Sequence, residues 1–202
     1  GDVLGKHVTL ADWRLAAREG KEHFCGEISD LIETACRRCQ NGYRRVLTRN
    51  PEALEDMANT LIMAGAAISM FGTSRPCAGS EHQLAHVWEV NALKKTGNSP
   101  LHGNFVGLGT IAALALYRLA AKEIDLDGLR YPLPQADEIR AILREAGGWA
   151  LKEKLCVDQD EFFLAFEHAA VSNPRYTILT YLLEKGCLSK YASAVTQEIF
   201  QP

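Results

Sequence analysis

The sequence predicts an all-α fold, and three observations support this prediction. From Ala16 onward, nearly every segment spaces its apolar residues at the 3.6-residue period of one helix face. No segment alternates apolar and polar residues over the length of a strand. No strand leads into a glycine-rich turn and a helix, as a nucleotide-binding βαβ unit requires. We therefore expect residues 1–202 to form a single helical bundle without a nucleotide-binding domain of its own.

The first two predicted helices differ in their apolar pattern. Apolar residues from Phe24 to Cys39 recur on one face and predict an amphipathic helix. The next helix begins behind Asn50-Pro51, an N-cap followed by a proline at the first helical position, and runs to about Phe71. Because it is apolar all round after Thr60, we expect residues 61–71 to be buried. A hydrophobic groove is the alternative interpretation.

The third and fourth predicted helices are separated by a turn at residues 97–100. Ser80-Glu81-His82-Gln83 opens the third helix and matches a capping box, in which the serine hydroxyl serves the backbone N–H of Gln83 and the glutamine reaches back. The fourth helix opens at Ser99-Pro100 and continues toward Lys122. It contains glycines at 103, 107 and 109, but their spacing does not place a glycine at the third position of the dinucleotide-binding motif G-x-G-x-x-G. We therefore expect these glycines to allow close helix packing.

The C-terminal third of the chain predicts three further helices. Tyr131-Pro-Leu-Pro134 is a connector, since two prolines two residues apart exclude a helix interior. Helices are then expected over residues 136–146, 159–170 and 176–185. Asp158 or Asp160 is a candidate cap for the second of these, and Asn173-Pro174 introduces the third.

The composition argues against several classes of protein. With 47% hydrophobic and 23% charged residues, the chain has enough apolar residues to bury a core. The net charge of −3 gives no electrostatic case for nucleic acid. The most apolar stretches are shorter than the roughly 20 residues that cross a bilayer. Six cysteines in a core-rich chain indicate reduced thiols and a cytoplasmic location. Cys36-x-x-Cys39 lacks a second pair at zinc-ribbon spacing, so we interpret it as two small apolar helix residues.

Three of the six histidines lie within 21 residues of one another. His82 and His86 are four residues apart on one helix face, and His102 follows in the first turn of the next helix. Both helix N-termini favour neutral imidazoles, which are the form that binds a metal. A carboxylate would complete a two-histidine site with an open coordination position. Polar surface histidines without a metal are the alternative.

Four segments identify a family resemblance. They are GTSRPCAGSEHQLAH at 72–86, LHGNFVGLG at 101–109, GDVLGK with ADW at 1–6 and 11–13, and NPRYTIL at 173–179. Together they resemble the C-terminal domain of sn-glycerol-1-phosphate dehydrogenases, within the superfamily of iron- or zinc-dependent polyol dehydrogenases and 3-dehydroquinate synthases. The sequence departs from the family pattern at Cys77-Ala78, where Ala-Ser is usual, and at Ala85, where a small hydroxyl residue is common.

The resemblance implies a two-domain enzyme of which this chain is one part. An N-terminal Rossmann-like domain would bind NAD(P), and the helical domain would hold a divalent metal, zinc or else nickel or iron. Reversible hydride transfer to dihydroxyacetone phosphate is the implied reaction, so we expect no turnover from this chain alone and no NAD(P)-binding residue within it. The chain opens with Gly rather than Met, and we expect the true start of the protein to lie upstream.

The resemblance also implies a set of site residues. Asp2, His82 and His102 would be the metal ligands, and His86 would be a catalytic residue that contacts the substrate, as would Asp2. A helix N-cap is the alternative role for Asp2. We add Arg75 as a candidate contact for the substrate phosphate, because an arginine before a capped helix N-terminus suits a dianion. Its alternative role is pairing with a local carboxylate.

Two other functions remain open at this stage. One is a glycerol or other polyol dehydrogenase, which would differ in not requiring a phosphate on its substrate. The other is a stand-alone helical module that binds a metal or a partner without catalysis. A homodimer is also expected as a possible assembly, because loss of a neighbouring domain would expose an apolar surface.

Overall fold

A computed structural model describes residues 1–125, 127–129, 131–147 and 155–200. Over these residues the chain forms ten α-helices, two short 3-10 helices and no strand, which confirms the predicted all-α fold class. The α-helices are α1 (Asp2–Arg18), α2 (Gly26–Asn41), α3 (Tyr43–Leu47), α4 (Pro51–Phe71), α5 (Ser80–Thr96), α6 (His102–Leu119), α7 (Ala136–Glu145), α8 (Gln159–Ser172), α9 (Ile178–Glu184) and α10 (Leu188–Phe200). The 3-10 helices are Arg75–Cys77 and Asp127–Leu129. No helix in the described ranges is long and apolar enough to cross a membrane.

The centre of the fold is α1, a helix that the periodicity of the sequence does not predict. Every residue from Leu4 to Trp13 is buried, and α1 packs against α2, α5 and α6. Polar residues such as Lys6 and Asp12 are buried together with the apolar ones. Because α1 has no solvent face over this stretch, its sequence lacks the alternation of apolar and polar faces on which a periodicity argument depends.

The second half of α4 contradicts a prediction. Residues 61–71 were expected to be buried, but Ile62 is 68% exposed and Met70 is 72% exposed. The helix packs on α2 through a narrow strip of small side chains. The buried residues of α4 are Ala53, Thr60, Ala64 and Ala67. An apolar sequence all round therefore does not produce burial all round, because α4 has neighbours on one side only within the described residues.

Most of the other predicted boundaries are confirmed to within a few residues. Asn50 caps α4 by accepting the backbone N–H of Ala53 at 3.1 Å. Asp158 and Glu161 form a capping box at the start of α8. Residues 131–135 are not helical, α7 ends one residue before its prediction, and α9 begins two residues after its own. Helix α10 has no predicted counterpart, although its buried residues recur at helical spacing: Leu188, Tyr191, Ala192, Val195, Thr196 and Ile199.

Helix α5 begins at Ser80 as predicted, but the expected capping box is wrong. The N-cap residue is Gly79, and no side chain caps it by the expected hydrogen bond. The Gln83 amide instead donates to the Arg175 carbonyl at 3.1 Å and accepts from the Thr177 hydroxyl at 2.8 Å. The backbone N–H of Ser80 donates to a carboxylate of α1. Tertiary partners thus replace the local cap.

The glycines of α6 confirm the predicted close packing. A Cβ added to Gly109 would overlap the backbone carbonyl oxygen of Glu81, so α5 and α6 approach backbone to backbone at this point. A Cβ on Gly107 would lie 2.8 Å from a methyl carbon of Leu143. The first turn of α5 therefore lies against α6 about two helical turns after α6 begins.

Asp12, at the centre of α1, connects three distant parts of the chain. It is fully buried. One carboxylate oxygen accepts the backbone N–H of Ser80 at 2.6 Å. The other accepts the backbone N–H of Ile178 and the hydroxyl of Tyr117, both at 2.8 Å. Asp12 therefore fixes the first residues of α5 and α9 against the buried end of α6.

We expect Gly109→Ala to lower the free energy of unfolding by about 1–3 kcal/mol, because the added methyl group forces α5 and α6 apart. Gly65 is the matched control. It lies inside α4, and a methyl group added there would meet no atom within 4 Å, so Gly65→Ala is expected to stabilise by about 0.5–1 kcal/mol. Urea denaturation measures both. A neutral or stabilising Gly109→Ala would contradict the close approach.

Asp12→Asn tests the carboxylate connection. The amide keeps the shape of the side chain but turns one acceptor oxygen into a donor, so at least one of the three donors is left unpaired. We expect a loss of about 1–3 kcal/mol in the free energy of unfolding. Asp30→Asn, whose side chain is 79% exposed, should change it by less than about 0.5 kcal/mol. Similar losses in both variants would show that Asp12 has no special role.

Candidate metal centre

Three side chains from the first turns of three helices converge at one place. They are Asp2, the first residue of α1; His82, the third residue of α5; and His102, the first residue of α6. Each offers one ligand atom, and these atoms all lie within 4.8 Å of one another. The structure thus brings together the three residues that the resemblance implies as metal ligands.

His86 lies beside this group rather than within it. Its ring centroid is 6.1 Å from that of His82 and 5.6 Å from that of His102. The ring is solvent-exposed. Partial removal from water, together with the positive charges of His82 and His102, lowers the pKa of His86. A neutral imidazole in this place can both donate and accept a hydrogen bond.

Each of the two convergent histidines has a carboxylate on its Nδ1 atom. His82 Nδ1 lies 2.7 Å from an oxygen of Glu81, and His102 Nδ1 lies 2.9 Å from an oxygen of Glu89. Such a contact favours a proton on Nδ1 and makes Nε2 the metal-binding atom. His82 Nε2 lies 3.0 Å from a carboxylate oxygen of Asp2, a contact that a metal ion between the two would replace. It also fixes the orientation of the ring. Neither glutamate was singled out from the sequence.

Asp2 is held in place by Lys6, one helical turn further along α1. The Lys6 ammonium donates to both carboxylate oxygens of Asp2, at 3.2 and 3.3 Å, and to the carbonyl of Cys77 at 2.9 Å. Burial disfavours the charged carboxylate, but the hydrogen bond from His82 and the charge of Lys6 hold the pKa of Asp2 well below its usual range. The alternative role of Asp2 as an N-cap is wrong, because Gly1 occupies that position.

The protonation of His82 differs from the sequence-based expectation. A helix N-terminus favours a neutral ring, and burial acts in the same direction. The hydrogen bonds to Asp2 and Glu81 outweigh burial, and the pKa of His82 is raised. Glu81 is fully buried, which alone would raise its own pKa, but its contacts with His82, Thr9 and Gly79 lower it. The cluster therefore carries anionic oxygens directly against the imidazole.

The donor set fits a divalent metal ion. Two imidazoles and one carboxylate are the protein ligands found in three-ligand catalytic sites, which keep a further position open. Asp2 is ionised and both rings are oriented through Nδ1, whereas His82, whose raised pKa favours the protonated ring, would release a proton when a cation binds. The same set suits zinc, nickel or iron, because ligand type alone does not discriminate among them.

Arg75 does not occupy the position expected of a substrate contact. Its side chain is buried, with 3% exposure. It donates to the backbone carbonyls of Asp12 and Tyr176 at 2.7 and 2.9 Å, and it pairs with Glu22 at 2.5 Å. The alternative role, pairing with a local carboxylate, describes this geometry. Arg75 stabilises the packing of α1 against the segment before α9 and faces no open surface.

Three residues that position the ligands were missed, and their signals in the sequence are weak. Lys6 is four residues after Asp2, a spacing that has meaning only if α1 is known to be a helix. Glu81 precedes His82, and Glu89 follows His86 by three residues. The cysteines contribute to no metal-ligating group among the described residues: Cys36 and Cys39 are buried on α2, as interpreted from the sequence.

The fold and the cluster together define an all-helical protein with a group of side chains that could hold a metal ion. Several curated relatives of the chain are named glycerol-1-phosphate dehydrogenase (NAD(P)+). The protein of Halalkalibacterium halodurans is 30% identical, over 91% of this chain and 51% of its own length. That of Pyrobaculum islandicum is 33% identical, over 96% and 53%. That of Aeropyrum pernix is 29% identical, over 98% and 50%.

These matches confirm the resemblance to glycerol-1-phosphate dehydrogenases. The chain is a homologue of these enzymes over nine tenths of its length or more, and it spans about half the length of the curated relatives that it matches. No protein-family model matches the chain.

Proposed function

We propose that this chain is the metal- and substrate-binding domain of an NAD(P)-dependent sn-glycerol-1-phosphate dehydrogenase, which interconverts dihydroxyacetone phosphate and sn-glycerol 1-phosphate. The observation that carries the proposal is the convergence of Asp2, His82 and His102 from three helices. Similarity to three enzymes of that name over more than nine tenths of the chain supports it.

Asp2, His82 and His102 would hold the metal in this proposal. A divalent cation in that position supplies Lewis-acid chemistry, polarising a substrate carbonyl and stabilising the alkoxide that hydride transfer creates. The chain's own residues prepare the ligands. Glu81 and Glu89 orient the two imidazoles, and Lys6 holds the carboxylate of Asp2 in the ionised form.

His86 is the proposed catalytic residue that contacts the substrate. It lies beside the ligand group, its ring is open to solvent, and its lowered pKa keeps it neutral near pH 7. A neutral imidazole can accept a hydrogen bond from the substrate hydroxyl and take its proton when the alcohol is oxidised, and the protonated ring can return that proton when the ketone is reduced. Asp2, which has a carboxylate oxygen 3.0 Å from His82 Nε2, is a second candidate substrate contact.

The hydride carrier would be bound by residues outside this chain. We propose residues 1–202 as one helical domain, with a Rossmann-like domain as its partner, since the relatives are about twice as long. On this proposal the isolated chain binds metal without turning over substrate, and the enzyme acts in the cytoplasm. The exposed apolar residues of α4 are compatible with a homodimer, which stays a prediction.

Metal content tests the proposed centre directly. We expect the purified chain, reconstituted with zinc and dialysed, to retain about one ion per molecule. His82→Ala and His102→Ala each remove a ligand and should lose most of that zinc. His86→Ala is the matched control, because it removes an adjacent histidine outside the ligand group, and it should retain the metal. Mass spectrometry of native protein measures the content, and full retention in both ligand variants would contradict the centre.

Glu89→Gln tests the orientation of His102. The amide keeps the length of the side chain but lacks the charged acceptor on Nδ1, so we expect zinc affinity to fall by about 10–100-fold with little change in melting temperature. Competition with a chromophoric chelator gives the affinity. Glu198→Gln alters a surface carboxylate paired with Arg118 and should leave it unchanged. Equal affinities for all three proteins would mean that Glu89 has no role in metal binding.

A further inference from the structure

Arg175 differs from every other basic residue in the part of the chain that the structure describes. It is half-buried, yet no carboxylate oxygen of the described residues lies within 4.0 Å of its guanidinium. The other described lysines and arginines either have such a partner or are exposed. The members of the exposed group are Arg49, Lys94, Lys122, Arg144, Lys185 and Lys190. Arg175 is therefore a partly desolvated cation without a close ion pair among the described residues, and the carboxylates of Glu22, Glu81 and Asp12 act on it only from beyond 4.0 Å.

The guanidinium lies near the N-terminal turn of α5. Its Nη1 atom donates to the carbonyl of Ala78 at 2.8 Å, and its Nη2 atom donates to the hydroxyl of Ser74 at 2.7 Å. The backbone carbonyl of Arg175 accepts from the Gln83 amide at 3.1 Å. Gln83 directly follows His82 and precedes His86 by three residues, so these contacts hold Arg175 on the same part of α5 as the candidate metal centre.

An anion is the chemical complement of this arrangement. A guanidinium has five N–H donors, and the two contacts to Ala78 and Ser74 leave others free. Burial lowers the pKa of Arg175, which means that partial desolvation disfavours its charge. A bound anion would offset that cost. The fork of a guanidinium matches the oxygens of a phosphate monoester better than an ammonium does, because two parallel N–H donors can contact two oxygens.

Arg75 and Arg175 differ in their partners and in their exposure, and this difference makes Arg175 the better candidate for binding an anion. Arg75 has its charge paired with Glu22, and its Nη2 atom donates to two backbone carbonyls. Arg175 has neutral partners only, and its bond to Ser74 lies at the surface.

We propose that Arg175 binds a phosphate group beside His86 and thereby makes this domain selective for phosphorylated ligands. The proposal deepens the function proposed above and rests on it. Two sources of the same chemistry are open to test: the phosphate of a glycerol phosphate substrate and the pyrophosphate of a dinucleotide.

Direct binding to the zinc-loaded chain and to the metal-free chain tests the proposal without a turnover assay. The probes are sn-glycerol 1-phosphate, inorganic phosphate, unphosphorylated glycerol and NADH, titrated by calorimetry or by protein-observed NMR. The variants are Arg175→Gln, which removes the charge but keeps a donor for Ala78, and Arg175→Lys, which keeps the charge but not the fork. Arg118→Gln is the control, because it alters an arginine that pairs with Glu198 on the surface.

We expect the unaltered chain to bind glycerol 1-phosphate and inorganic phosphate more tightly than glycerol. Arg175→Gln should weaken both phosphate probes by at least about tenfold, Arg175→Lys should lie between, and the zinc content and melting temperature should not change. If Arg175→Gln loses NADH binding but binds glycerol 1-phosphate as the unaltered chain does, the bound phosphate is not that of the substrate. Arg175 would then contact the pyrophosphate of the dinucleotide.

Unchanged phosphate affinity in Arg175→Gln would overturn the proposal, as would the absence of phosphate binding by the unaltered chain. The zinc content of His82→Ala and His102→Ala reports separately on the metal centre. The two proposals can therefore fail separately. If only the Arg175 proposal is wrong, the unaltered chain still binds zinc at the expected stoichiometry, and if the proposed metal centre is wrong, it does not.

Discussion

Asp12 is a carboxylate fully removed from water, and its two oxygens accept hydrogen bonds from residues 68, 105 and 166 positions away along the chain. Burying such a group is costly unless each oxygen is paired, so the partners are constrained as strongly as Asp12 itself. The N-terminus of α5, the buried half of α6 and the start of α9 consequently meet at one point of α1. The candidate metal centre depends on this meeting, because Asp2 is on α1, His82 is on α5 and His102 is on α6.

The polar groups around the candidate ligands are paired as well, in this case by opposite charges. Lys6 contacts Asp2, Asp2 contacts His82, and His82 contacts Glu81. Positive and negative groups alternate, so each charge has an opposite neighbour within hydrogen-bonding distance. Such an arrangement keeps Asp2 ionised and holds Asp2 and His82 in fixed orientations in a largely buried place. Metal binding there would release the proton of His82. Glu89 extends the arrangement to His102 on the more exposed side of the cluster.

Two arginines illustrate how burial decides function. Arg75 and Arg175 both occur in segments that carry the resemblance, and both could serve an anion by residue type. In the structure Arg75 is enclosed by carbonyls and Glu22, whereas Arg175 keeps free donors near the surface beside His86. The carboxylate of Glu22 already pairs with the charge of Arg75. Arg175 has no such carboxylate within 4.0 Å among the described residues, and a bound anion would supply that partner. The position of the neighbouring helices also decides the exposure of α4. Its apolar composition predicts burial on all sides, but within the described residues no neighbour covers its outer face.

Local signals in the sequence establish the helical class and the starts of α4, α5 and α8. The family resemblance adds the three candidate ligands, because the histidine spacing by itself supplies no carboxylate. Helical periodicity, capping residues and the quoted motifs need no knowledge of the fold. The packing of the helices was needed to reveal α1 as the central helix, because a helix buried on all sides has no polar face to mark its period. Helix packing was also needed to show that Glu81, Glu89 and Lys6 contact the candidate ligands. It likewise showed that Arg75 is buried in an ion pair whereas Arg175 is not. Those roles depend on which charges lie within a few ångströms of one another, and that distance is a property of the tertiary structure.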